Sequence, residues 1–333
     1  MEELGPRPPV NGNLRNLLGG KSGTTRLLLR FFVGLVILTA LLMVVEPREI
    51  AEAFRNADST HILMAIVLLL PNLGLQYLKW RRIVQMVKPE VTRREVLLSL
   101  MYGLAVGSLT PGKVGEVGGR LFGIESVRRS QILALALIDK LQIMCVITVG
   151  GLIGSSFIFV EAQGLALAGS MLITGMLILV ALHPKSLRVF VRPLERIRFV
   201  GKWLGEFRES LRYFDKKTLI ITLLQSVLIY GTVFLQMHLL LSAFSVVPVI
   251  SSLLGYSTMM FYKSLLPLSI GDLGIREATS VYFFSQVGVA GAVAFNASLL
   301  LAVINIFLPA FVGTLYTMSP TRTPDSEEIT NTD

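Results

Sequence analysis

Apolar residues in this chain come in blocks of about 15–25, the length that crosses the roughly 30 Å hydrocarbon core of a bilayer as a helix. Inside hydrocarbon every backbone N–H and C=O must be paired within the protein, which leaves helices and closed barrels as the spanning structures. The blocks are too long for barrel strands of about ten residues. They dictate an all-α, polytopic transmembrane helical bundle. Composition agrees: 53% of residues are hydrophobic and 16% are charged, against about 25% charged in an ordinary soluble domain. A soluble enzyme is excluded.

Lys and Arg number 31 against 22 Asp and Glu, a net charge of +9. The basic residues fall in the short segments between apolar blocks, where the positive-inside rule puts them, so the charge reports topology and not a nucleic-acid partner. The single cysteine, Cys145, lies within an apolar block, which leaves no disulfide framework.

Residues 1–26 are polar and rich in Gly and Pro, the composition of a disordered tail, here cytoplasmic. The run Phe31–Val45 follows too long a leader, with no small-residue cleavage site, to be a signal peptide. It is expected to be the first span, with Arg30 reaching back to the interface. Glu46–Asp58 carries two Arg and four acids and belongs outside. A second span, His61–Leu78, should kink at Pro71. It leads into a basic stretch, Lys79-Trp80-Arg81-Arg82 to Glu95, that belongs inside.

Val96–Leu109 is short for a crossing and breaks at Thr110-Pro111-Gly112. If it crossed completely, Arg120, Arg128 and Arg129 would lie outside, and so would the linker Lys185–Lys217 with its ten Lys/Arg and four acids. A re-entrant segment removes both conflicts. Two spans follow, Ile132–Phe159 and Leu165–Leu182. The linker 185–217 has apolar residues at spacings of three, four and seven with basic residues between them, the pattern of an amphipathic helix on the cytoplasmic leaflet. Leu219–Phe244 is another span, and Ile250–Leu266 is apolar up to Pro267. The uncharged stretch from Ala278 to Met318 suits two short helices broken near Gly288 or Gly291, or one very long helix. Residues 319–333 form an acidic tail. The organisation expected is one membrane domain over 27–318, with half one at 61–182, the linker, and half two at 218–318.

Two stretches repeat. Ser108 to Arg120 contains Pro111, Gly115, Glu116, Gly118 and Arg120; Ser264 to Arg276 contains Pro267, Gly271, Asp272, Gly274 and Arg276. Both follow S-L-x-P-x-x-x-G-(D/E)-x-G-x-R where an apolar segment breaks. The proline ends the entering helix, and the glycines permit a tight loop and close packing. The carboxylate and arginine, four positions apart, share a face if the helix re-forms. Three full spans between the copies make them an inverted repeat, and broken helices at matching positions of inverted halves point to a transporter's central site. Ionisable groups at membrane depth are costly and mark function by default, so Lys113, Glu116, Arg120, Asp139, Lys140, Lys263, Asp272 and Arg276 are the candidate substrate-binding residues. The alternative is that Glu116–Arg120 and Asp272–Arg276 are closed ion pairs that pin the loops. Asp139 and Lys140 point about 100° apart on a helix and should meet different partners. His238, Gln142, Gln225 and Gln236 suit interhelical hydrogen bonds.

At these residues the chain resembles the transmembrane region of the lysylphosphatidylglycerol synthase family, also called the flippase-like family. The resemblance spans roughly Leu27 to Met318. It rests on Leu78-Lys79-Trp80, the Pro111…Gly115-Glu116…Arg120 motif, Asp139-Lys140, and the run from Pro267 to Arg276-Glu277. Where the family's helix after the first motif usually carries an acid followed by Arg, this chain has Lys140, which cannot pair bidentately. The resemblance implies a membrane module that moves lipids between leaflets. In the synthases, aminoacyl transfer belongs to a separate soluble domain, which is expected to be absent from a chain ending at Asp333.

The leading expectation is therefore a lipid flippase or scramblase of the plasma (inner) membrane, not an enzyme, with N-terminus and linker cytoplasmic. Arg120 and Arg276 would meet headgroup phosphate, and Glu116 and Asp272 a cationic headgroup or a coupling proton. Its partners would be membrane lipids (an anionic or aminoacylated phospholipid, or a lipid-linked intermediate), with a separate synthase or glycosyltransferase as candidate protein partner. No cofactor or metal is called for. A secondary transporter of a small solute or ion is the second reading. An intramembrane enzyme is the third: Ile270-Gly271-Asp272 lacks the first glycine of a G-x-G-D loop, and no H-E-x-x-H or cysteine–histidine set occurs.

Overall fold

The structure, a computed structural model, describes residues 47–159 and 215–318 apart from 111, 267, 268, 270 and 271, together with isolated positions 169, 172 and 175. The expected first span, the span Leu165–Leu182, the linker over 185–214, both tails, and the loop residues Pro111, Pro267 and Gly271 lie outside the described residues. The described residues are helical, with no strand among them. Four helical stretches are long and apolar enough to cross a membrane: Ser59–Gln85, Arg129–Ile158, Lys216–Phe244 and Gly291–Gly313.

Helix α1 (Pro47–Arg55) opens with proline at its first position, where the missing N–H is no loss. Asp58 then caps α2 (Ser59–Val67), accepting from the Thr60 N–H at 2.8 Å, while its own N–H donates to the Ala243 carbonyl. The second span breaks at Leu68 and continues as α3 (Leu69–Gln85). Pro71 supplies no N–H to the Val67 carbonyl four residues earlier, so the break falls one turn ahead of the proline.

Helix α4 (Arg93–Ser108) starts from a reciprocal Thr92–Glu95 cap. After a short loop, α5 (Val114–Gly119) folds back onto it. Helix α4 carries Gly103 and Gly107 at this contact. A Cβ at Gly107 would lie 3.0 Å from the Glu116 Cβ, and one at Gly119 would lie 2.5 Å from the Tyr102 carbonyl oxygen. A helical hairpin thus replaces a simple crossing at 93–119, the geometry a re-entrant segment requires.

Helix α6 (Arg129–Ile158) packs along α8 (Val249–Leu265) through a face of small residues. A Cβ at Gly151 would collide with the Phe261 side chain, and one at Gly154 would lie 2.6 Å from Thr258 Oγ1. Helix α7 (Lys216–Phe244), capped by Asp215, packs against α2, α3, α6 and α8. Two of its polar side chains join neighbours, as the sequence suggested. Gln236 donates to the Ala65 carbonyl, and His238 bonds Ser252 on α8. Gln142 on α6 donates to Thr222. The Gln225 side-chain oxygen makes no such bond among the described residues.

After α8 comes α9 (Ile275–Ser285), which packs on α8 as a second helical hairpin. The chain then breaks at Gly288 with φ +82°, and runs through α10 (Gly291–Ala302), a π-helical turn (Val303–Phe307) and α11 (Leu308–Met318). Of the two readings of this uncharged stretch, the broken one is correct. The π turn presents Asn305, which donates to Gln236 and accepts from Asn72, and Gln76 donates to Asn72. This carboxamide ladder links the two interrupted helices through a region where an unpaired amide would be costly.

Apolar packing divides into two clusters. One gathers α3, α4 and α6 around Trp80, Leu100 and Leu135; the other gathers α2, α7, α8, α9 and α10 around Tyr256, Met259 and Phe284. Each cluster supports one broken-helix motif, and the charged residues lie where the two meet.

Candidate functional site

A cavity of about 200 Å³ opens between the two hairpins. Lys79 of α3, Lys113, Glu116 and Arg120 of the first motif, Asp139 and Lys140 of α6, Lys263 of α8 and Asp272 of the second motif all line it. Residues more than 150 positions apart in sequence therefore share one wall-to-wall polar space. Ile143, Met144 and Ile147 of α6, with Ile229 and Met260, supply an apolar side.

Arg120 is the hub on the first-motif side. It is 4% exposed, and its guanidinium contacts Glu116 at 2.8 Å and Asp139 at 2.5 Å. It lies 4.5 Å over the Trp80 ring. Ser99 fixes the backbone beneath it, accepting from the Trp80 indole N–H and donating to the Arg120 carbonyl at 2.7 Å. The other oxygen of Glu116 meets Lys140 at 3.2 Å. Lys79 Nζ stands 2.6 Å from Asp139 and donates to the Asp139 backbone carbonyl. Asp139 and Lys140 do meet different partners, as their angular separation requires.

The second-motif side is simpler. Asp272 pairs with Lys263 at 2.7 Å. Asp272 and Lys113 both sit in the left-handed region, with φ of 61° and 55°. Non-glycine residues there are strained by about 1–3 kcal/mol, and such strain clusters at ligand sites. Gly274, at φ +79°, opens α9, its N–H donating to the buried Glu277 carboxylate at 2.7 Å. No group of His, Cys, Asp or Glu suited to a metal occurs among the described residues.

Three residues add to or differ from what the sequence suggested. Lys79, in the sequence only the first residue of a basic stretch, is 3% exposed and a member of the ion network. The sequence held a signal, because Asn72, Gln76 and Lys79 form a polar stripe at helical spacing along an otherwise apolar segment. Arg276 is buried in the first turn of α9, and it is not among the described residues that line the cavity. Gly118 was expected to permit close packing, yet a Cβ there meets nothing within 4 Å; the close approach belongs to Gly119 and to Gly115, where a Cβ would lie 2.8 Å from the Val106 carbonyl oxygen.

Membrane-length helices enclosing a buried, charged cavity built from two helical hairpins define a multi-pass membrane protein. Its family follows from comparison with known proteins: the lysylphosphatidylglycerol synthase TM region matches residues 28–313, and the chain belongs to that family. It is also 27% identical over 319 residues to a UPF0104 membrane protein of Methanothermobacter thermautotrophicus, across 84% of this chain and 91% of that protein.

Proposed function

We propose that this protein is a lipid flippase or scramblase that passes a phospholipid or lipid-linked headgroup between leaflets through the cavity at Glu116, Arg120, Asp139, Lys140, Lys263 and Asp272. The observation that carries the reading is the convergence of both broken-helix motifs on one charged cavity with an apolar side. A charged headgroup costs several kcal/mol or more to move through hydrocarbon; paired charges along its route replace the lost water. The acyl chains need no such route and stay in the bilayer. We place the protein in the plasma membrane, with N-terminus and linker cytoplasmic and the two hairpins entering from opposite faces as an inverted repeat. The sequence holds no G-x-x-x-x-G-K-(S/T) loop, so ATP bound by such a loop in this chain is not the driving force we propose, which is a lipid gradient, an ion gradient or a partner. A partner that makes or uses the lipid, a synthase or glycosyltransferase, fits this role.

The small volume of the cavity also suits a second reading, a transporter of a small charged solute. One assay separates the two. Purified protein in liposomes is supplied with headgroup-labelled fluorescent phospholipids, and the fraction quenched from outside is measured for wild type, E116Q and D272N. Extra quenchable lipid that both substitutions abolish supports lipid movement through the cavity. No movement with any headgroup, together with uptake of a soluble phosphorylated or zwitterionic solute, supports the second reading.

A further inference from the structure

The charges around the cavity do not balance, and the imbalance specifies the ligand. Among the described residues, five cationic side chains line it (Lys79, Lys113, Arg120, Lys140 and Lys263) against three carboxylates, Glu116, Asp139 and Asp272. The excess is two positive charges. Lys79 and Arg120 are committed: both are nearly fully buried and hold Asp139 between them. Lys140 and Lys263 each give one contact to a carboxylate, leaving two ammonium protons apiece. Among the described residues Lys113 makes no ion pair; it lies on the loop between α4 and α5, with φ 55°, and lines the cavity.

Building on the proposed lipid transport, we infer that the cavity binds a phosphomonoester dianion, seated on Lys113, Lys140 and Lys263. A terminal phosphate carries about two negative charges at neutral pH and three strong acceptor oxygens. That matches both the excess charge and the spare donors on the three lysines. A phosphodiester headgroup brings one charge and two such oxygens and leaves the cavity unbalanced. A cationic headgroup adds to the excess. Point-charge ammonium groups suit a rotating terminal phosphate, where an arginine fork would suit a fixed bidentate pair. The source of the phosphate is either a lipid or a soluble phosphorylated compound, and the apolar side at Ile143 and Met144 favours the lipid.

The test compares phosphatidate, phosphatidylglycerol and phosphatidylcholine of identical acyl chains, binding to the purified full chain in nanodiscs, with glycerol 3-phosphate as soluble competitor. The expected result is at least a tenfold preference for phosphatidate over phosphatidylglycerol. The preference should be lost in K113Q, kept in K113R, and weakened in wild type below about pH 6, where the phosphate dianion takes up one proton and becomes a monoanion. No histidine lines the cavity among the described residues, so that weakening reports the ligand. Equal binding of the two lipids by wild type overturns the inference, as does a preference unchanged in folded K113Q or flat from pH 5 to 8. Strong competition by glycerol 3-phosphate supports the phosphomonoester chemistry with a soluble source, and its absence supports the lipid. Leaflet exchange in the same nanodisc-purified protein after transfer to liposomes is scored separately. Preference without exchange supports the phosphomonoester site while sinking the flippase; exchange without preference overturns the phosphomonoester site alone.

Discussion

Asp139→Asn removes one negative charge from between two buried cations, and its effect follows from the distances. Asp139 lies 2.6 Å from Lys79 and 2.5 Å from Arg120, with side-chain exposure of 12%, 3% and 5% for the three groups. Screening by water is slight at such burial. Arg120 keeps Glu116 as a partner, but Lys79 has no second carboxylate among the described residues. Removing one member of a buried pair costs about 3–5 kcal/mol, because a desolvated charge remains. Asparagine retains a carbonyl oxygen that still accepts a hydrogen bond, so the expected loss sits near the lower end, about 3 kcal/mol. The assay is reversible SDS-induced unfolding in mixed micelles. Adding Lys79→Met deletes the stranded charge, and the double variant should recover at least about half of the loss. Two results refute the reasoning: D139N within about 0.5 kcal/mol of wild type, the range of an ordinary surface change, or a K79M/D139N double no more stable than D139N alone.

Gly119→Ala places a Cβ 2.5 Å from the Tyr102 carbonyl oxygen and 2.9 Å from the Gly103 Cα, backbone that cannot rotate away. The expected loss is about 1–3 kcal/mol by thermal unfolding in detergent, whereas Gly118→Ala, with open space around it, should be neutral or slightly stabilising. At the entrance to α4, burial pushes the Glu95 carboxyl up, but the Lys88 ammonium and the Thr92 and Glu125 N–H groups outweigh it, and the group lies below the usual carboxylate range. A lowered folded pKa stabilises above the unfolded value, about 4.3, and the contribution is lost as pH falls through the folded value. Glu95→Gln should therefore cost about 1 kcal/mol at pH 7, with the gap to wild type narrowing below pH 4 in paired melts.

Much of this architecture is written in local signals. Apolar blocks of membrane length gave α6 and α7 within a few residues, and the charge-based argument against a crossing at Val96–Leu109 matches the α4–α5 hairpin. The repeated motif identified half of the cavity's charged residues, Lys113, Glu116, Arg120 and Asp272, because glycine, proline and paired charges inside apolar sequence have few other uses. Pairing was less legible. The four-residue spacing suggested Glu116–Arg120 and Asp272–Arg276 as pairs; Glu116 does meet Arg120, while the contact of Asp272 with Lys263 of α8 has no helical period to announce it. Lys79 was hidden by its neighbours: the basic run that follows it obscures the polar stripe of Asn72, Gln76 and Lys79 to which it belongs. The π turn at Asn305 likewise depends on tertiary partners, Asn72 and Gln236, that no window along α10 contains.

The central claim is that headgroups pass through the space between the two hairpins, and a plug placed there tests it most directly. Ser264 lines the cavity, and Cys145, the single cysteine, can be removed by Cys145→Ala. In C145A/S264C protein reconstituted in liposomes, lipid movement is measured before and after complete modification with thiol reagents of increasing volume. The account predicts that movement falls with reagent size and that transported lipid slows the modification. Undiminished movement after complete reaction with the bulkiest reagent would contradict it.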